Sequence, residues 1–183
     1  MSPQNKRWNI LINLLRDRPH QKGAEIGVFE GDTSFRLLQA LPTIQQLICV
    51  DPFEHYPEQT KTLNPNKAKF HDANYNQVMK TFLFRMKPYE ERFSLMKLYS
   101  KEAAKLIENQ SLDFIFIDGN HAYEYVIEDI KTWLPKVKPG GLLSGHDYHV
   151  KGYNRSFGVT RAVEETFKKD FDFKRFVWWH IVR

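Results

Sequence analysis

The chain lacks most of the devices that stabilise or localise a protein by means other than a packed core. Its 183 residues hold one cysteine, Cys49, so no internal disulfide can form. The surrounding apolar run Leu47-Ile48-Cys49-Val50 suits a small core residue better than a nucleophile. No stretch approaches the ~20 apolar residues that span a bilayer, and residues 1–10 carry neither an apolar region nor a small-residue cleavage site. A cytoplasmic protein with no membrane attachment is therefore expected. The 27 Lys and Arg outnumber the 22 Asp and Glu, for a net charge of +5, but they are scattered among the acids and form no basic stripe interleaved with aromatics. That disfavours nucleic acid and leaves a surface that tolerates anionic ligands. There is no P-loop ending in GK[ST], which argues against ATP hydrolysis. Repeats, low-complexity tracts and linkers are also missing, so a single domain over 1–183 is expected.

What is present alternates strand and helix. Trp8, Ile10, Leu11, Leu14 and Leu15 recur at helical spacing and predict an N-terminal helix within 1–20, stopped by Pro19. GAEIGV reads as a strand, and DTSFRLLQAL reads as a helix opening on the cap-type residues Asp32, Thr33 and Ser34. QQLICVD is a second strand. Residues 53–88 form a polar, Pro- and Tyr-containing excursion with helical pieces such as YNQVMKTFLFRM, a natural lid or substrate insertion. RFSLMKLYS, LDFIFIDG and GLLSGHDY supply further strands, KEAAKLIEN and AYEYVIEDIKTWLPKV supply helices, and KPGG reads as a turn. VTRAVEETFKKD closes the helices and FKRFVWWHIVR the strands. The alternation predicts an α/β, Rossmann-like, doubly wound and mostly parallel sheet covered on both faces, and the near-continuous apolar LDFIFI suggests a strand buried on both sides.

In such a sheet the ligand crevice lies beyond the carboxyl ends of the strands. Those ends are polar here: Glu25 to Gly31, Asp51, Ser100, Asp118 to His121, and His146 with Asp147. Gly27 and Gly31 allow a sharp turn and close approach of the backbone to a ligand at a helix N-terminus. Asp51, at the end of the second strand, is placed to accept both hydroxyls of a ribose. The bland reading of the same residues is a shaped turn, with Asp51 capping the PFEHY segment.

EIGVFEG, CVDPF, the block from FIFIDGNHAYEYV to GGLLSGHDY, and GVTRAVEETF, taken in order, resemble class I S-adenosylmethionine-dependent methyltransferases. Within them the chain is similar to the small O-methyltransferase-like group that acts on sugars and natural products. The resemblance runs from about Gly23 to the C-terminus and is most specific in the IDGNH to GHDY block. It implies a sheet ending in an antiparallel strand, here FVWWHIV, and S-adenosylmethionine across the strand tips. It further implies Glu25 and Gly27 beside the methionine portion, Gly31 in the same glycine loop, Asp51 on the ribose, Ser100 and Lys101 bordering adenine, and Asp118 beside the reacting end.

Methyl transfer to a hydroxyl requires alignment and assisted deprotonation. Two routes fit the residues. A divalent metal held by Asp118, His146 and Asp147 could lower the acceptor's pKa, the imidazole tilting preference toward transition metals. Alternatively, His121 or His146 could act as a general base. A structural reading also stands, in which His121 caps the following helix and His146 and Asp147 bind loop backbone. Tyr148, His149, Tyr153 and Arg155 could line an acceptor pocket, and Tyr56, His71, Tyr75 and Arg85 lie on the candidate lid. His20, His55, His71 and His180 suit packing or surface roles, and Trp178 and Trp179 core and rim. The expected partner is a small-molecule acceptor, with homodimer formation open. The alternatives are a non-catalytic nucleoside-binding domain that keeps the fold and an RNA ribose methyltransferase. Amino-group methylation of nucleic acid is disfavoured because IDGNH stands where a [DNS]PP[YFW] motif would.

Overall fold

The structure, a computed structural model, describes residues 6–19, 22–55, 73–149 and 158–183. Seven strands form one sheet: β1 Lys22–Ile26, β2 Gln46–Val50, β3 Phe93–Met96, β4 Leu112–Ile117, β5 Val137–Gly145, β6 Asp172–Lys174 and β7 Val177–Ile181. Their order is β3-β2-β1-β4-β5-β7-β6. The first five run parallel, whereas β7 pairs antiparallel with β5 and with β6. The chain steps outward through β2 and β3 on one side of β1 and returns through β4 on the other, so the switch point lies between the tips of β1 and β4.

Period-two alternation divides β4 between two cores. Phe114 and Phe116 face one cluster, which includes Ile10, Leu11 and Leu15 of α1 (Arg7–Leu15), Leu37 and Leu38 of α2 (Asp32–Ala40), and Val78, Phe82 and Met86 of α3 (Tyr75–Met86). Ile115 and Ile117 face the other, built with Ala103 and Ala104 of α4 (Ser100–Lys105), Val126, Ile130 and Trp133 of α5 (Tyr123–Trp133), and Val163 and Phe167 of α6 (Val159–Phe167). The Arg92 guanidinium donates to the carbonyls of Leu38, Leu41 and Ile44, satisfying acceptors that the end of α2 would otherwise leave bare. Among the described residues no helix is long and apolar enough to cross a membrane.

Three local readings change. KPGG lies inside β5, where the pairing with β4 shifts register between Leu112 and Phe114. A bulged strand absorbs Gly140 at φ 80° and lets the Gly141 backbone approach Asp113 O, which a Cβ would meet at 2.8 Å. The third strand ends at Met96, matching the end of its partner β2, and Ser100 instead opens α4. The closing segment divides into β6 and β7 because Arg175 takes a left-handed φ of 57° and reverses the chain. Much of the 53–88 excursion lies outside the described residues, but α3 packs into the core through Val78, Phe82 and Met86.

Candidate active site

The glycine loop is shaped by contacts that only its glycines permit. Gly27 has φ 85°, and a Cβ there would stand 2.4 Å from Asp118 O. The tips of β1 and β4 are thereby drawn together, with Asp118 N donating to Ile26 O at 2.8 Å. Gly31 has φ 79° and precedes α2 as its N-cap without any side-chain cap, because a Cβ would press on the Phe82 ring at 2.8 Å. Phe29 and Phe53 are also left-handed, at φ 49° and 50°, an uncommon state for large side chains that tends to mark functional loops.

Asp51 holds both of these strained turns. Its Oδ2 accepts from Phe29 N at 2.9 Å and its Oδ1 from Phe53 N at 2.8 Å. Burial lifts its pKa above the ordinary carboxylate value against the pull of these amides. Asp51 thus caps the PFEHY segment and braces the glycine loop together, with the Val28 amide also acting on its carboxylate.

Glu25 stands behind the first turn of α2. It is 1% exposed and accepts from Ser34 Oγ, and burial pushes its carboxyl up to about 8. Ser34 Oγ also lies 3.4 Å from Cys49 Sγ, whose thiol burial pushes up. Cys49 is a core residue, as its setting in the sequence implies.

The sequence reading passed over Arg7, the first residue of α1. Its Nε lies 3.0 Å from Asp118 Oδ2 and donates to Thr33 Oγ1 at 2.9 Å. Asp118 above all, with Glu25, Asp147 and Asp32, raises its pKa despite burial. No spacing rule connects the start of the chain with the tip of β4. The available signal was a cation one turn before the apolar stripe of an N-terminal helix.

The other oxygen of Asp118 faces the histidines. His121 Nε2 and His146 Nδ1 are each 3.7 Å from Oδ1, and both rings lie near Asp147, at 2.7 Å from Oδ2 and 3.2 Å from Oδ1 respectively. Burial opposes the charge on His121, but Asp118 and Asp147 outweigh it and push the imidazole up to about 9. Burial likewise opposes ionisation of Asp147, yet His121 and His146 hold its carboxyl well below the usual range. The two carboxylates thus favour the protonated form of His121. This residue does not cap α5, whose N-cap is Ala122; the turn is held by Asn120 Oδ1, which accepts from Ala122 N at 3.0 Å. One ligand atom each from Asp118, His121 and Asp147 lies within 4.8 Å of the others. His146 Nδ1, 3.7 Å from Asp118 and 3.2 Å from Asp147, stands beside this group.

The remaining candidates make contacts of their own. The Ser100 hydroxyl donates to Asp129 Oδ1 and accepts from Trp133 Nε1 at 2.8 Å, so it is engaged inside the protein. Lys101 pairs with Glu128 at 2.5 Å on the surface. Tyr148 is buried, and its ring meets His149 and Phe173. Arg85 bonds Glu30 O and lies 3.3 Å from Asp32. His180 stacks on Phe167 at 4.5 Å, and His55 meets Tyr75 at 4.7 Å. Trp178 is buried, with Trp179 partly so. His20, Tyr56, His71, Tyr153 and Arg155 lie outside the described residues.

The family described as methyltransferase domain matches residues 24–148, from β1 to just beyond the His146-Asp147 pair. The chain belongs to this methyltransferase family. A relative from Acanthamoeba polyphaga mimivirus, an uncharacterized protein, is 30% identical over 164 residues, which is 86% of this chain and 65% of that one. This methyltransferase chain thus spans under two thirds of that relative's length. Its fold is that of the O-methyltransferase TomG from Streptomyces achromogenes in complex with S-adenosylmethionine, at TM-score 0.67, 16% identity, and coverage of 100% of this chain and 81% of that one. It is equally that of the Bacillus cereus O-methyltransferase in complex with SAH, at TM-score 0.67, 14% identity, and coverage of 99% and 82%. The Rossmann-like sheet with antiparallel final strands is the architecture that the IDGNH to GHDY block implied.

Proposed function

We propose that this methyltransferase transfers the methyl group of S-adenosylmethionine to an oxygen of a small hydroxylated molecule. The observation that carries the reading is the arrangement around one loop: a left-handed glycine turn at the switch point, braced by Asp51 on one side and abutting Asp118 on the other. A nucleoside bearing an amino-acid tail fits that frame. Asp51 offers a carboxylate to a ribose, and Gly27 permits the left-handed turn that shapes the loop against the tip of β4. The rim of β3 and α4, at Ser100 and Lys101, borders the base. The Streptomyces O-methyltransferase of similar fold, involved in tomaymycin synthesis, supports a small-molecule oxygen as the acceptor.

S-adenosylmethionine supplies an activated methyl on a sulfonium, so the protein's tasks are alignment and removal of a proton from the acceptor. His146 is suited to take that proton. Its Nδ1 is 3.2 Å from Asp147, which fixes the ring and leaves Nε2 for the acceptor. The His121 imidazolium sits against the same carboxylate at 2.7 Å and adds positive potential where a phenolate or alkoxide develops. The ring centre of Phe176 lies 6.4 Å from that of His146 and flanks the proposed base.

The site also fits a divalent ion, since the donors of Asp118, His121 and Asp147 lie within 4.8 Å. Asp118 would offer Oδ1 while Oδ2 stays with Arg7, and His121 would release its proton on binding. Such an ion would supply Lewis acidity toward two acceptor oxygens. The test is transfer of labelled methyl from S-adenosylmethionine to a panel of phenols, catechols and sugars, with and without chelator. Methylated product from wild type and about 100- to 10,000-fold less from His146→Gln support direct base catalysis. Loss of turnover in chelator, restored by Mn²⁺, favours the ion. No transfer to any hydroxylated acceptor would return the domain to nucleoside binding without catalysis.

A further inference from the structure

We infer that Arg7 reads the carboxylate of the cofactor's amino-acid end, making helix α1 part of the cofactor site. The inference rests on S-adenosylmethionine as the cofactor. Arg7 opens α1, a helix fixed to the core by Ile10, Leu11 and Leu15, so a rigid element delivers its guanidinium to the gap between β1 and β4. Only Nε is engaged among the described residues, by Asp118 and Thr33. The two terminal nitrogens make no hydrogen bond there and leave a planar fork suited to a carboxylate.

Two further features converge on the same gap. The first-turn amides of α2 have no intrahelical partners, and its N-cap, Gly31, provides no side-chain cap. Thr33, which holds Arg7, belongs to that first turn, so guanidinium and helix N-terminus flank one position. The surrounding charge is also mixed. Arg7 stands among Asp118, Asp32 and Asp147, all close enough to strengthen its charge. A simple anion such as phosphate would meet those carboxylates as well as the cation. An α-amino acid group carries an ammonium for the carboxylates and a carboxylate for Arg7 and the α2 amides, which matches both signs. Aspartate at the tip of β4 is then shared: Oδ2 lies on the cofactor side with Arg7, and Oδ1 on the acceptor side with His121 and His146.

The test is a calorimetric cycle of two ligands against three proteins: S-adenosylhomocysteine and its decarboxylated analogue, with wild type, Arg7→Gln and Arg7→Lys. Wild type is expected to prefer the carboxylate-bearing ligand by about 10- to 100-fold, the range for a charge-assisted hydrogen bond. Arg7→Gln is expected to reduce that preference to a few-fold, and Arg7→Lys, which keeps the charge without the fork, to fall between. The ratio is read within each protein, so a uniform loss of stability does not mimic it. Should Arg7→Gln fail to fold, a narrowed ratio in Arg7→Lys supports the inference and an unchanged one overturns it. Equal discrimination in wild type and Arg7→Gln also overturns it while leaving the cofactor reading intact. Binding of neither ligand by wild type removes the cofactor reading and this inference with it.

Discussion

Arg7 Nε lies 3.0 Å from Asp118 Oδ2, joining the first helix of the chain to the tip of its central strand. Both groups are partly buried, with side chains 34% and 8% exposed, so removing one leaves the other short of a partner. Asp118→Ala is expected to cost about 1–3 kcal/mol in urea unfolding and to lower turnover. Asp118→Asn, which keeps a hydrogen-bond acceptor, is expected to cost less stability and to lose as much activity. Equal stability of wild type and Asp118→Ala would show that the pair does not hold α1 to β4.

Asp51 carries two burdens, and its variants separate them. Its oxygens accept from Phe29 N and Phe53 N, and in the proposed site they also accept from a ribose. Asp51→Ala is expected to weaken S-adenosylhomocysteine binding by about 10- to 100-fold, the worth of one or two charge-assisted hydrogen bonds. Adenine alone, which has no ribose, should lose much less affinity. Wild-type affinity for the nucleoside in Asp51→Ala would detach this residue from the ribose.

Gly27→Ala tests the close approach at the switch point. The added methyl would meet Asp118 O at 2.4 Å in a backbone with φ 85°, so steric overlap and conformational strain act together. A loss of at least about 2 kcal/mol is expected, with nucleoside binding abolished. A near-neutral result by chemical denaturation would mean that β4 can shift away without consequence.

The layout was legible because hydrophobic pattern encodes it directly. LDFIFI announced a strand buried on both faces, and the helices showed their apolar stripes in Ile10, Leu11 and Leu15 or Val126, Ile130 and Trp133. Where the pattern misled, a local exception was responsible: Gly140 and Gly141 serve a bulge inside β5, and Arg175 reverses the chain between β6 and β7. Strand ends pointed to Glu25, Asp51, Asp118, His146 and Asp147, and the structure brings Asp118, His146 and Asp147 together. Arg7 and Asp129 were not legible, because their meaning lies in partners distant in the chain. Asp129 looks like one more charge on a helix, yet it is 6% exposed and accepts from Ser100.

Two buried carboxyls give the fold a pH signature. Burial raises Glu25 to about 8 and Asp129 to about 7, whereas unfolded carboxyls titrate near 4. The folded state therefore binds more protons across that interval. The stability contributed is fully present below about pH 4 and is lost as pH rises through about 7 and then about 8. Glu25→Gln, which cannot ionise, is expected to flatten the decline in melting temperature between about pH 5 and pH 9. Parallel profiles for wild type and Glu25→Gln would show that Glu25 titrates normally.

The most direct measurement is calorimetric titration of the wild-type protein with S-adenosylhomocysteine, with Asp51→Ala as the control. The account expects saturable micromolar binding by wild type and about 10- to 100-fold weaker binding by the variant. Absence of heat and of any thermal stabilisation in wild type at millimolar nucleoside would contradict the claim that this switch-point crevice holds S-adenosylmethionine.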